Sequence, residues 1–312
     1  MYLMRIGEPG AERPAARIDD ESYVDLSEVV DDFDEAFFGG GGLDRIRPVV
    51  AERAAADEVS RFAGERVGAP IARPHQILCI GLNYRDHAAE TGQAVPDEPI
   101  LFNKSPNTLI GPYDDVRIPR GSTKPDWEVE LGIVIGRRTS YLDSVVEASG
   151  VIAGYLVVND VSERAFQIER GGQWVKGKSA ETFNPAGPWL VTPEEIDDVL
   201  ALDMWLDVNG VRRQTGNEDD GLRSVLHRAL PQSVPRPGAG RPDQHRDSAG
   251  CGYGLQPAGV AATRRRDGAG RRGLGVAAAA RGRAEMSARS MCAYVLTAGP
   301  GPKIHVDPLL TR

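Results

Sequence analysis

Residues 126–136 read D-W-E-V-E-L-G-I-V-I-G. Glu128 and Glu130 stand at alternate positions, and the run then turns continuously apolar. Side chains at i and i+2 share one face of a strand. The stretch therefore reads as a strand entering a core with two carboxylates on one side. Taken alone, E-x-E usually marks a solvated strand face. The apolar run that follows points instead to burial, where two unpaired carboxylates repel each other and a bound cation removes the cost.

Working outward, V-I-A-G-Y-L-V-V-N-D (151–160) is a second β-branched run, and Asp160 closes it. An acid at a strand end is often only a turn or cap; here it is also a natural third oxygen ligand. Three hard carboxylate oxygens suit Mg²⁺, Mn²⁺ or Ca²⁺ rather than zinc. I-L-C-I-G-L (77–82) is another strand of the buried kind, preceded by a linker at 71–76. L-D-M-W-L-D-V-N-G (202–210) alternates and ends in Asn209-Gly210, a hairpin signal, with V-R-R-Q-T-G-N as the return strand. Short helices are expected at 143–148 and 193–200. Residues 1–70 read as a small leading module: two strands, M-Y-L-M-R-I-G and A-A-R-I-D-D-E-S-Y-V-D-L, then a partly helical stretch at 44–68. The fold class is α+β, mostly β, with the small module at 1–70, a catalytic unit at 71–218 and a tail at 219–312.

Two further groups could carry chemistry. His87 and Glu90 sit at i, i+3 in N-Y-R-D-H-A-A-E. On one helical turn they are neighbours. That is either a solvated pair or a carboxylate orienting a general base. Lys178 lies in W-V-K-G-K-S-A-E-T-F-N-P-A-G-P-W, a loop rich in Gly, Pro and aromatics. It is either a surface lysine or a cation for a developing enolate or a substrate carboxylate. K-G-K-S lacks the upstream glycines of a phosphate loop, so a nucleotide site is not read here.

Five strings then stand in order: I-G-L-N-Y-R-D-H-A-A-E (80–90), L-F-N-K-S-P-N-T-L-I-G-P (101–112), D-W-E-V-E-L-G-I-V-I-G (126–136), G-Y-L-V-V-N-D-V-S-E-R (154–164) and K-G-K-S-A-E-T-F-N-P-A-G-P-W (176–189). Together they resemble the fumarylacetoacetate hydrolase family over about 77–217, and residues 1–70 look like the small leading domain of its bacterial members. The resemblance implies a mixed β-sandwich roll, a divalent metal (Mg²⁺, or Mn²⁺ or Ca²⁺), a homodimer and a small-molecule oxo-acid substrate. By motif it assigns Glu128, Glu130 and Asp160 to the metal, His87 and Glu90 to water activation, and Lys178 to the oxyanion. Gln167 falls where a substrate-contacting glutamine is found. The activity implied is C–C cleavage of acylpyruvate- or fumarylacetoacetate-like 1,3-dicarbonyl acids. Decarboxylation of 2-oxo acids, isomerisation of hydroxymuconate-like dienes and ureidoglycolate cleavage stay open as alternatives.

Composition sets the bounds. The net charge of -8 divides into -18 over residues 1–220 (22 - 40) and +10 over residues 221–312 (15 - 5). The acidic body argues against nucleic acid as the main partner. No apolar run reaches the roughly 18–20 residues of a membrane span. Cys79, Cys251 and Cys292 show no metal or disulfide spacing, which suits a reducing cytoplasm. After residue 220 the periodicities vanish and Arg, Gly, Ala and Pro dominate, so disorder is expected. The family's T-G-T-P-x-G-V-G loop is missing. H-R-D-S-A-G-C-G (245–252), shifted by one nucleotide with G/C-rich wobble bases, can be recoded as T-G-T-P-P-G-V. A reading-frame change near Glu218–Asp220 is therefore expected. The competing reading is an inactive chain whose basic tail binds an acidic partner or nucleic acid. Its lack of aromatics beyond Tyr253 and Tyr294 counts against base-stacking contacts.

Overall fold

A computed structural model of the chain describes residues 1–81, 100–137, 139, 142, 144–199 and 202–217, with short strands at 253–255, 263–266 and 272–275. The fold is mostly β with few helices among the described residues. The leading residues form β1 (Tyr2–Ile6), β2 (Arg13–Arg17), β3 (Ser22–Asp25), α1 (Glu35–Gly39), α2 (Gly42–Ala55) and β4 (Ser60–Arg61). The second expected strand is thus two strands. Asp19-Asp20-Glu21 breaks it, because the Asp19 carboxylate accepts from the Glu21 amide and Ile18 N–H closes on Ser22 O at 3.0 Å.

Next come β5 (Gln76–Gly81), β6 (Ile100–Lys104), β7 (Leu109–Ile110), β8 (Pro125–Asp126), β9 (Val129–Ile135), α3 (Val145–Ser149), β10 (Ile152–Asn159) and β11 (Ser162–Glu163). After them lie α4 (Arg164–Ile168), α5 (Val175–Lys178), β12 (Asn184–Pro185), β13 (Leu190–Val191), β14 (Asp203–Val208) and β15 (Val211–Asn217). The expected helix at 193–200 is a single 3₁₀ turn, Pro193–Glu195, followed by extended Ile196. The N-terminal ammonium, 2.8 Å from the Glu195 carboxylate, and Arg47, paired with Glu194, draw its acids outward instead. Asn209 and Gly210 both have positive φ (53° and 74°), the requirement of the two-residue hairpin between β14 and β15.

One sheet carries the molecule, with strand order β4-β3-β2-β1-β13-β10-β9 and then a strand from the tail, β16 (Tyr253–Leu255), before β5-β6. The tail also pairs β17 (Thr263–Arg266) with β18 (Arg272–Gly275). Composition gave no reason to expect these strands. A strand slot is filled by backbone hydrogen bonds, which need no side-chain pattern. The rest of the tail lies outside the described residues.

β9 is buried along its whole length because both its faces are covered. Leu131 and Ile133 pack with Phe183, Leu206 and Val208. On the opposite face Val134 packs with Leu156, Val158, Leu3, Ile46 and Phe33. The leading residues therefore share a core with the rest of the chain, and β1 pairs directly with β13 (Leu3↔Leu190). No described helix is long and apolar enough to cross a membrane.

Phe33 is fully buried and packs against Phe37, the two rings tilted with centroids 4.9 Å apart. Phe33→Ala should cost about 3–5 kcal/mol in denaturant unfolding; a loss under about 1 kcal/mol contradicts this core. Burial alone would raise the Glu194 carboxyl, but Arg47 holds it down, from the ordinary 4.5 to about 2. A depressed carboxylate stabilises the fold above its unfolded value and loses that effect as pH falls through its folded value. Glu194→Gln should therefore narrow the melting difference from wild type between about pH 4.5 and about pH 2. The effect is small, under about 1 kcal/mol, because the side chain is 42% exposed. A difference that is constant with pH contradicts the pairing.

Candidate active site

Glu128 stands just before β9 and Glu130 is its second residue, and the end of β10 brings Asp160 beside Glu128, with the Asp160 amide donating to Glu128 O at 3.1 Å. All three carboxylates are buried, at 3%, 4% and 0% exposure. Lys178 joins two of them: its Nζ donates to Glu128 Oε2 at 2.5 Å and to Asp160 Oδ2. Lys104, at the end of β6, donates from Nζ to Asp160 Oδ1 and, at 3.2 Å, to Val161 O. Arg164 donates from Nη2 to Glu128 Oε1, from Nε to Asp126 Oδ2 at 3.0 Å, and from Nη1 to Gln167 Oε1 at 2.9 Å. Two buried lysines and the partly exposed Arg164 thus pair with Glu128 and Asp160, as burial of charge demands.

The local sequence explains how these side chains arrive. A Cβ at Gly177 would lie 2.4 Å from Glu163 O and 2.6 Å from the Gln167 backbone N, so only glycine lets α5 close onto α4. Lys178, the next residue, is thereby pressed inward, and its ammonium lies 5.1 Å from the centre of the Phe102 ring. Glu163 caps α4 through the Ala165 amide and accepts from Ser122 Oγ and the Lys124 amide, which fixes the loop in front of β8. Gln214 on β15, buried at 6%, accepts the Val129 amide at 3.0 Å. It holds β9 at the residue between the two glutamates.

The electrostatics follow from burial and pairing. Burial would raise the Glu128 carboxyl, but Arg164 and then Lys178 hold it well below the usual carboxylate range. Burial would lower Lys178, but Asp160 and Glu128 together raise it. Lys104 is lowered, because Asp160 offsets burial only in part and Lys178 opposes it. The thiol of buried Cys79 is pushed well up, first by burial, then by Asp160 and Glu130, against Lys104 and Lys178. One thiol thus feels both carboxylates and both lysines.

The structure brings Glu128, Asp160 and Lys178 together, and Glu130 is buried in β9 where, like Asp160, it acts on the Cys79 thiol. Gln167, buried at 3%, reaches the cluster through Arg164. His87 and Glu90 lie outside the described residues. Sequence reasoning missed Lys104, Arg164 and Gln214. Arg164 and Gln167 carried a signal, since i, i+3 residues of a helix are neighbours. Lys104 carried a misleading one: on β6 it is Leu101 that is exposed, at 53%, while the lysine turns inward.

Among the described residues, no group of three or more His, Cys, Asp or Glu side chains is arranged so that it could hold a metal ion. Lysine and arginine hold the oxygens of Glu128 and Asp160. A carboxylate offers about four lone-pair sites, so these residues can accept a lysine and a cation together. By donor chemistry a set of hard carboxylate oxygens suits a divalent cation, although here Lys104, Lys178 and Arg164 sit on the oxygens of Glu128 and Asp160.

The sequence profile described as fumarylacetoacetate (FAA) hydrolase C-terminal matches residues 76–228. A Burkholderia multivorans protein, provisionally named a hydrolase, is 49% identical over 218 residues, covering 70% of this chain and 75% of that protein. The fumarylacetoacetate hydrolase of Exiguobacterium antarcticum is 28% identical with TM-score 0.62, over 74% of this chain and 82% of that one. A probable 2-hydroxyhepta-2,4-diene-1,7-dioate isomerase of Mycobacterium abscessus is 26% identical with TM-score 0.61, over 83% and 86%. The maleylpyruvate hydrolase of Sphingobium sp. SYK-6, in complex with manganese (II) and pyruvate, shares the fold at 22% identity and TM-score 0.62, over 84% and 89%. The chain belongs to the fumarylacetoacetate hydrolase family.

Proposed function

We propose that this chain is built as a divalent-metal-dependent hydrolase that cleaves a C–C bond in an acylpyruvate- or fumarylacetoacetate-like 1,3-dicarbonyl acid. The observation that carries this reading is the buried cluster of Glu128, Glu130 and Asp160 with Lys178 bonded into it. Those three carboxylates would hold the cation, for which Mg²⁺ is the first choice. When bound it supplies Lewis acidity and a template for two substrate oxygens. A protein of the same fold holds manganese (II), which supports a divalent ion on this scaffold.

The chain's own residues have distinct tasks. His87, oriented by Glu90, takes a proton from water, which adds to a carbonyl carbon. The C–C bond breaks, its electron pair passes to the departing enolate, and the Lys178 ammonium donates a hydrogen bond to that oxygen. Gln167 has its carbonyl oxygen committed to Arg164, which leaves its amide N–H groups to donate to a substrate oxygen. The reading carries with it a cytoplasmic homodimer acting on small oxo-acids.

A second reading is isomerisation of a hydroxymuconate-like diene, favoured by the 26% identity with the Mycobacterium abscessus protein. The outcome in labelled water separates the two. Hydrolysis leaves ¹⁸O in the carboxylate product, whereas isomerisation leaves none.

We also propose that the tail after Asp220 is read in a shifted frame. The family profile stops at residue 228, and the Burkholderia multivorans relative keeps a quarter of its length outside the match. The frame-corrected chain would then regain the T-G-T-P loop and the family's side chains in the strands that follow residue 220. DNA across codons 215–225 and beyond with family-like codons in no frame overturns this.

His87→Ala in the frame-corrected chain should cut kcat by about 10²–10⁴-fold. Exhaustive chelation should abolish turnover, and Mg²⁺ should restore it. Unchanged turnover after either treatment contradicts the hydrolase reading.

A further inference from the structure

Lys104 belongs to no part of the chemistry assigned above, yet it is 1% exposed. Burying a lysine is costly unless its charge is used. Its Nζ makes two contacts of different kinds. One is to Asp160 Oδ1; the other, at 3.2 Å, is to the carbonyl of Val161. A counter-ion needs only the first. The second grips the backbone at the turn where β10 passes into β11, so side chain and main chain are held by one ammonium.

Glu128 and Asp160 each keep a cationic partner without this lysine. Asp160 already has Lys178 on its other oxygen, and Glu128 has both Lys178 and Arg164. The strand order adds a geometric argument. β6 and β10 are four steps apart in the sheet, β10-β9-β16-β5-β6. A flat sheet would separate them by about 19 Å, beyond the combined reach of a lysine and an aspartate. The sheet therefore curls until its edge strand meets the end of β10, and Lys104–Asp160 is a contact across the inside of that curl.

We infer that Lys104 is a positioning residue that fixes the Asp160 carboxylate, and the turn behind it, in the orientation a divalent cation needs. This rests on the proposed metal-dependent reading. Metal affinity separates it from the alternative, that Lys104 is only a counter-charge, by opposite signs. A positioning partner behind a ligand is worth about 10–100-fold in metal affinity, so its loss weakens binding. Loss of a mere positive charge beside the site tightens binding or leaves it unchanged.

The test uses the full chain and Mn²⁺, with the free ion followed by electron paramagnetic resonance. Lys104→Met preserves the bulk and removes the ammonium. It should weaken Mn²⁺ binding by about 10–100-fold. Lys104→Gln keeps a donor without charge and should recover part of that loss. Tighter or equal binding by both variants overturns the inference. If Lys104→Met does not fold, Lys104→Gln against wild type decides by the same sign. Thermal melts without metal supply an independent measurement on Lys104→Met, Asp160→Asn and the double variant. A double variant less destabilised than the sum of the singles supports the clamp, and additivity overturns it. Wild-type protein that binds no Mn²⁺ defeats the metal reading, and the melts then decide the Lys104–Asp160 clamp on their own.

Discussion

Everything near the site depends on one constraint: charge taken out of water must be met by charge. Glu128, Asp160, Lys104, Lys178 and Arg164 are joined by short contacts, and Glu128, Asp160 and the two lysines are almost wholly buried. Removing one partner of a buried pair costs about 3–5 kcal/mol because it strands the other. The network therefore fixes the relative placement of β6, β9, β10, α4 and α5. Replacing such a network with apolar residues is often neutral or stabilising, so stability alone gives no reason to keep it. The arrangement makes sense as a place kept polar for chemistry.

Most of the fold was legible from periodicity. β5, β9, β10 and the β14–β15 hairpin stand within a residue or two of where the apolar runs and Asn209-Gly210 placed them. What failed did so for identifiable reasons. Residues 193–200 have helical spacing on paper, but the N-terminal ammonium and Arg47 draw Glu194 and Glu195 away into ion pairs. Such partners are nearly 150 or more residues distant, and no local window contains them. The same holds for Lys104, which is 56 residues from Asp160.

The site was half legible. Glu128, Glu130 and Asp160 announced themselves because acids beside apolar runs are anomalous, and anomaly is what a sequence displays well. The partners did not, because a lysine or arginine is unremarkable wherever it occurs. Arg164 was the exception that could have been found. It sits one helical turn before Gln167, and an arginine next to a suspected site glutamine is a positional clue. Gln214 shows the opposite limit. Its bond to the Val129 amide replaces a strand partner, and only three-dimensional contact reveals that the amide lacked one.

The tail separates two demands that a sheet usually meets together. Between β9 and β5 the sheet needs a strand, and Tyr253–Leu255 supplies its backbone, parallel to β5 and antiparallel to β9. A slot of that kind asks for amides and carbonyls in register, which any run without proline can offer. A catalytic loop asks for particular side chains, and a shifted frame destroys those first. On the frame reading, the architecture survives where it depends on main chain and fails where it depends on residue identity. The carboxylates and lysines that pair among themselves all lie before residue 220, so the charge cluster can form without the tail. The +10 of the tail then follows from G/C-rich codons read out of frame, since arginine, glycine, alanine and proline are what such codons encode. The -18 of the body is a different matter, because part of it is the buried acid around which the site is built.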